Sequence, residues 1–308
     1  VDAREGDRLI FVLDAAPDQN RFDAKLRLDA PAGGVMGALI GTQRPIAARV
    51  EGDGTWQVWK GVLTADVAGT PTARLSINSD QGRFATNGTL TVAHITKGKI
   101  QRLTAPNVRV NGNARLENRI LDGALSLASS GMNVAARGGV DLGNNAYKNV
   151  RIDARLIDNS ALFPNMGGTP VTLAARLDGR FSSAWFDYLI ASPRVTFDQT
   201  GIEDARISGP GRLSASPVIV PMRMTARRIT GIGDVAGGIL ANISVEGPLR
   251  ITSKLITGDG LILKSDKLSG KLTLLVDLAT GRYDIGLAGQ LQRYLIPGLG
   301  LVDVKSEL

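Results

Sequence analysis

The chain has 308 residues, with 36 Lys and Arg against 29 Asp and Glu, a net charge of +7 and a pI near 9.9. It has no cysteine, which excludes disulfides, thiolate nucleophiles and zinc thiolates. Apolar residues make up 43% but aromatics only 5%, alongside 37 Gly, so the apolar surface is aliphatic and shallow, without many bulky anchors.

Successive side chains of a strand point to opposite faces, so alternating apolar and polar residues mark a strand with one greasy and one wet side. The chain opens in this pattern, with strands over 8–13 and 22–28 joined by the turn signals of Ala16-Pro17-Asp18-Gln19-Asn20. At 31–41 no polar residue occurs; Pro31 opens the run and Gly41 closes it, which predicts a short buried helix near 33–41. Strands resume over 46–51 and 56–63, turning at Gly52-Asp53-Gly54. From Arg74 to Leu156 they follow one another over 75–78, 84–92, 99–104, 108–116, 121–128, 132–142 and 150–156. The intervening turns are too short for parallel crossovers, which need about a dozen residues, so neighbours are expected to be antiparallel.

A loop bearing Pro and Gly at 159–169 precedes strands over 171–181, 188–191, 194–197, 205–208, 211–215, 218–225 and 228–229. At 231–242, Ile232, Val235, Ala236, Ile239 and Leu240 recur at helical spacing and predict a second short helix. Strands return over 243–246, 249–256, 261–264, 267–278, 282–287 and 290–294. Nothing marks a linker, so residues 1–308 read as one elongated all-β element, a long and mostly antiparallel sheet. Val1 and Leu308 both stand in mid-pattern, and the chain is expected to be part of a larger protein.

Signals for catalysis are weak. His94 is the only histidine, and it alternates with Val92 and Thr96 as a polar strand residue would. Gly231 to Gly237 has the spacing GxGxxxG with no βαβ context, unlike a dinucleotide loop. Gly52-Asp53-Gly54 and Gly258-Asp259-Gly260 read as hairpin turns, since calcium requires about six oxygens. Basic residues are scattered singly and lack aromatic stacking platforms, so no nucleic-acid partner is expected. We expect no enzyme and no cofactor. No run reaches the roughly 18 apolar residues of a membrane span.

Two segments carry a resemblance. Leu28-Asp-Ala-Pro-Ala-Gly-Gly-Val-Met-Gly-Ala-Leu-Ile-Gly41 with Arg49-Val-Glu-Gly-Asp-Gly-Thr-Trp-Gln-Val-Trp-Lys-Gly61, and Gln290-Leu-Gln-Arg-Tyr-Leu-Ile-Pro-Gly-Leu-Gly-Leu-Val-Asp-Val-Lys-Ser-Glu-Leu308, resemble the body of the TamB family. That family supplies the inner-membrane-anchored component of the translocation and assembly module of Gram-negative bacteria. The resemblance implies a middle fragment of a periplasmic protein, its sheet curled into an open apolar trough of the β-taco type. It further implies phospholipid movement toward the outer membrane, and a TamA-like outer-membrane partner met through a region this chain lacks.

An apolar trough suits phospholipid acyl chains, and alternation nominates Leu125, Leu127, Val134, Leu173, Leu177, Leu272 and Leu274 as its lining. Three alternatives stand beside this reading. One is a chaperone-like scaffold that receives outer-membrane protein strands by β-augmentation. A parallel β-helix would need regular coils of about 20 residues, which the uneven strand spacing disfavours. An ordinary two-domain β-sandwich is the third.

Overall fold

The computed structural model describes residues 6–16, 18, 20–32, 44–55, 57–214, 217–231, 239–278, 280–296 and 300–307. The chain is all-β, antiparallel and open, and it divides into two compact units, Val1–Gly143 and Asn144–Leu308.

Unit 1 is an antiparallel meander. Its strands are β1 (Arg8–Ala16), β2 (Arg21–Ala30), β3 (Ile46–Gly54), β4 (Val58–Val67), β5 (Thr70–Asp80), β6 (Arg83–Leu90), β7 (Val108–Glu117), β8 (Ile120–Ala128) and β9 (Met132–Asp141). Each pairs with the next, from β1–β2 to β8–β9. Tight turns make this possible. Ala68-Gly69, Gln81-Gly82 and Asn118-Arg119 all have positive φ at both positions, the turn whose twist matches that of the strands it joins. Arg119 takes φ +65 without being glycine, a local strain accepted for the sake of the hairpin.

The one long described connection in unit 1 links β6 to β7. It holds a 3-10 turn, Val92–His94, and helix α1 (Gly98–Thr104). The strand expected over 99–104 is therefore replaced by a helix. Gly98 at φ +66 redirects the chain, and Ile100 and Leu103 stand three apart, as on a helix. Ile95 then packs on Ala30, Ile46 and Val67, at the ends of β2, β3 and β4.

Unit 2 begins with β10 (Ala146–Leu156), a short helix α2 (Asn159–Leu162) and the three-residue β11 (Met166–Gly168). It continues with β12 (Val171–Arg180), β13 (Trp185–Phe197), β14 (Thr200–Arg212), β15 (Val218–Thr230), β16 (Ala241–Ile251) and β17 (Leu255–Lys264). The last strands are β18 (Leu268–Asp277), β19 (Tyr283–Ile296) and β20 (Gly300–Glu307). β10 pairs with β12, and from β12 onward each strand pairs with its successor. β11 lies against the far end of β13.

Three expectations are corrected here. The segments at 188–191 and 194–197 are parts of one strand, β13, and 205–208 runs on through Gly211 and Arg212 in β14, which ends there. Gly258-Asp259-Gly260 is not a hairpin turn but a bulge within β17, where the register with β18 slips between Gly258 and Leu261 and Gly260 takes φ +63. The helix expected near 33–41 lies outside the described residues. So do residues 232–238 of the one expected near 231–242, while Ala241 and Asn242 already belong to β16.

Candidate functional site

Register decides which side chains share a face. In unit 1, Val50 stands opposite Leu63, Leu63 opposite Leu75, and Leu75 opposite Gly88. The row continues through Val110 and Leu127 to Val134. Two residues along, a parallel row runs Gly61, Ile77, Thr86, Gly112, Leu125 and Ala136. All seven strands from β3 to β9 thus present one aliphatic face, with Arg49, Lys60, Arg74, Arg109, Asp122 and Arg137 on the other. Leu125, Leu127 and Val134 fall together on the apolar face, and Leu125 is still 43% exposed.

Trp59 lies flat on that face. A Cβ at Gly61 would run into the Trp59 ring, and one at Gly52 would meet it too, so the indole rests on the two glycines of the neighbouring strand positions. In unit 2, Phe186 covers Gly211 in the same manner. Glycine keeps the sheet thin where a ring must lie on it.

Unit 2 repeats the one-sided design. Leu173 is opposite Ile190, Ile190 opposite Ile207, and Ile207 opposite Met224. The row passes through Val245 and Leu263 to Gly270, one alternate position from Leu272. Leu177 is opposite Phe186, Leu272 opposite Leu261, and Leu274 opposite Gly258. Leu173, Leu177, Leu272 and Leu274 accordingly share the apolar face of this unit, each half-buried. Leu272 and Leu274 pack against a buried cluster of Met222, Ala226, Ile243, Val245, Leu261 and Leu263.

This face curls onto itself. Phe197, at the end of β13, meets Tyr283, at the start of β19, with ring centroids 6.1 Å apart. Those strands are six places apart, about 29 Å in a flat sheet at 4.8 Å spacing. The α2–β11 connection closes the same end, since Phe163 stands directly over Gly281. Asn159, buried, braces that connection by donating through Nδ2 to the carbonyls of Gly167 and Thr169, both at 2.9 Å.

Alternation alone nominated seven residues. The ladder adds Tyr188, Ile190 and Leu261, which the sequence signals only as strand residues without a partner, and Phe186, which lies outside the expected strands. Tyr188 lies on the apolar face opposite Ala175 and Gly209, and burial pushes its phenol above the ordinary value. An environment that disfavours a phenolate is one that favours hydrocarbon.

The outward face is ionic. Glu203, nearly enclosed, accepts from Arg228 Nε at 2.7 Å and from Arg227 at 2.6 Å, while Asp204 accepts from Arg227 at 2.8 Å. The Arg228 hydrogen bond, aided by the charges of Arg227, Arg228 and Arg194, holds the Glu203 carboxyl below its usual range. His94 ends the 3-10 turn in an exposed position. No group of three or more His, Cys, Asp or Glu side chains is placed to hold a metal among the described residues.

No family model, no curated protein and no solved structure matches the chain. Its functional reading therefore rests on the geometry and on the resemblance carried by the sequence.

Proposed function

We propose that the chain is a lipid-binding segment whose apolar sheet faces hold phospholipid acyl chains. The observation that carries this reading is the register: in each unit, aliphatic positions of consecutive strands align into rows on one face, and large residues such as Leu125 stay open to solvent there. A sheet with such a face must cover it. Acyl chains match it chemically, at about 0.8 kcal/mol per buried methylene. A uniform aliphatic track offers neighbouring positions of nearly equal energy, so a bound chain slides readily along it.

In line with the resemblance to the TamB family, we place this activity in the periplasm, within a longer protein anchored in the inner membrane. Its role there is phospholipid transfer toward the outer membrane, in company with a TamA-like partner.

Native mass spectrometry with lipid extraction tests the proposal on protein purified from a Gram-negative host. Phospholipid is expected to co-purify and to be lost in Leu173→Asp/Leu177→Asp. Leu189→Asp, which substitutes the opposite and 41% exposed side of the adjacent strand, should keep it. A folded wild-type protein free of lipid overturns the reading. Crosslinks from Leu173 to unfolded polypeptide instead of lipid would transfer the face to a chaperone-like role.

A further inference from the structure

We propose that the β6–β7 connection of unit 1 is a docking patch for the surface of an anionic phospholipid membrane. From Gln81 to Leu116, thirty-six residues, the chain carries no Asp or Glu, six Lys or Arg, and its only histidine. The other long acid-free stretch, 205–233, carries five Arg, but those lie on strands β14 and β15. In 81–116, three cations, Lys97, Lys99 and Arg102, fall together with His94 within the β6–β7 connection, off the strands.

The geometry turns this patch outward. His94, Lys97 and Arg102 are exposed, and Ile100 between them is 53% exposed. A large aliphatic side chain in water among cations is the arrangement of an interfacial segment, in which the apolar group enters the headgroup layer and the cations meet phosphates. The opposite side of the connection is firmly held. Ala93 is buried, Ile95 packs on the strand ends, and Ser129 and Ser130 donate through Oγ to the carbonyls of Leu103 and Ala105 at 2.5 and 2.6 Å.

Charge complementarity selects an anionic surface, and composition selects lipid over nucleic acid. Residues 85–146 contain no Phe, Trp or Tyr, so the patch lacks the row of large rings on which successive bases stack. The patch does not depend on the acyl-chain reading, because docking to a membrane and holding a lipid are separate events with separate readouts.

Sedimentation of the full chain with phosphatidylcholine vesicles, with and without phosphatidylglycerol, is the test. Binding is expected only with phosphatidylglycerol. Each lost cation should lower partitioning about fivefold, so K97Q/K99Q/R102Q should fall roughly 100-fold at low salt. Ile100→Gln should weaken binding several-fold with no change of charge. R49Q/K60Q/R74Q removes as much charge from the outward face of β3–β5 and should bind like wild type. Equal losses in the two triple variants would overturn the proposal by showing a diffuse charge effect, as would wild-type binding indifferent to phosphatidylglycerol. K97Q/K99Q/R102Q should still co-purify with lipid, which keeps the two proposals distinguishable.

Discussion

Glu203 shows how one side chain couples the outer face of the sheet to pH. Its carboxylate is opposite Arg194 on one side and Arg228 on the other, and it accepts hydrogen bonds from Arg227 and Arg228. Because the folded carboxyl titrates below the unfolded one, whose value is about 4.3, its contribution is fully present above the unfolded value. It is lost as pH falls through the lower, folded value. Urea unfolding of wild type and Glu203→Gln across the acid range should therefore show the wild type ahead at neutral pH and the gap closing on acidification. A gap that stays constant with pH would contradict this role. The exposed pairs, such as Arg223 with Glu246 at 3.1 Å, are solvent-screened and should matter little.

At the scale of elements, two connections among the described residues, β6–β7 and β10–β12, depart from the hairpin rule and cap the units they belong to. The β10–β12 connection depends on Asn159, whose amide satisfies two carbonyls of its own loop. Asn159→Ala removes both donors in a buried setting and should cost about 1–3 kcal/mol, read as a lowered urea midpoint. Stability equal to wild type would mean that water replaces the amide. Sequence reading assigned a loop to 159–169 and missed its short helix, and it assigned a strand to 99–104. Both failures have one cause. Period-two patterning is informative only where a partner strand is present on each side. A single turn of helix such as α2, capped by Asp158 through Ser160, adds too few residues to show a period of its own.

Across the whole molecule, strands pair almost entirely with their sequence neighbours, so each stretch of sheet depends chiefly on the strands beside it. This resembles the quasi-one-dimensional energetics of repeat proteins. Leu261, with 0% exposure, sits at the centre of the largest buried cluster of unit 2. Leu261→Ala should cost about 2–5 kcal/mol. Hydrogen exchange should accelerate mainly in β15–β18, the strands that build that cluster, and little in β10. Uniform acceleration through unit 2 would show that the sheet unfolds as one block instead.

The nomination of Leu173 and Leu177, or of Leu127 and Val134, to a common face could be read from the chain, because the side-chain period of two is a local property of any extended backbone. For the same reason strand content, antiparallel order and the aliphatic character of one side were determined by sequence alone. The placement of Trp59 on Gly52 and Gly61, the bulge at Gly258–Gly260 and the meeting of Phe197 with Tyr283 were not. These depend on register and curvature, which accumulate over many strands and leave no period in the chain. The exposed Ile100 also needed the tertiary structure, since only the packing of Ile95 on the strand ends and the hold of Ser129 on the Leu103 carbonyl decide which apolar residue of the connection is left for water.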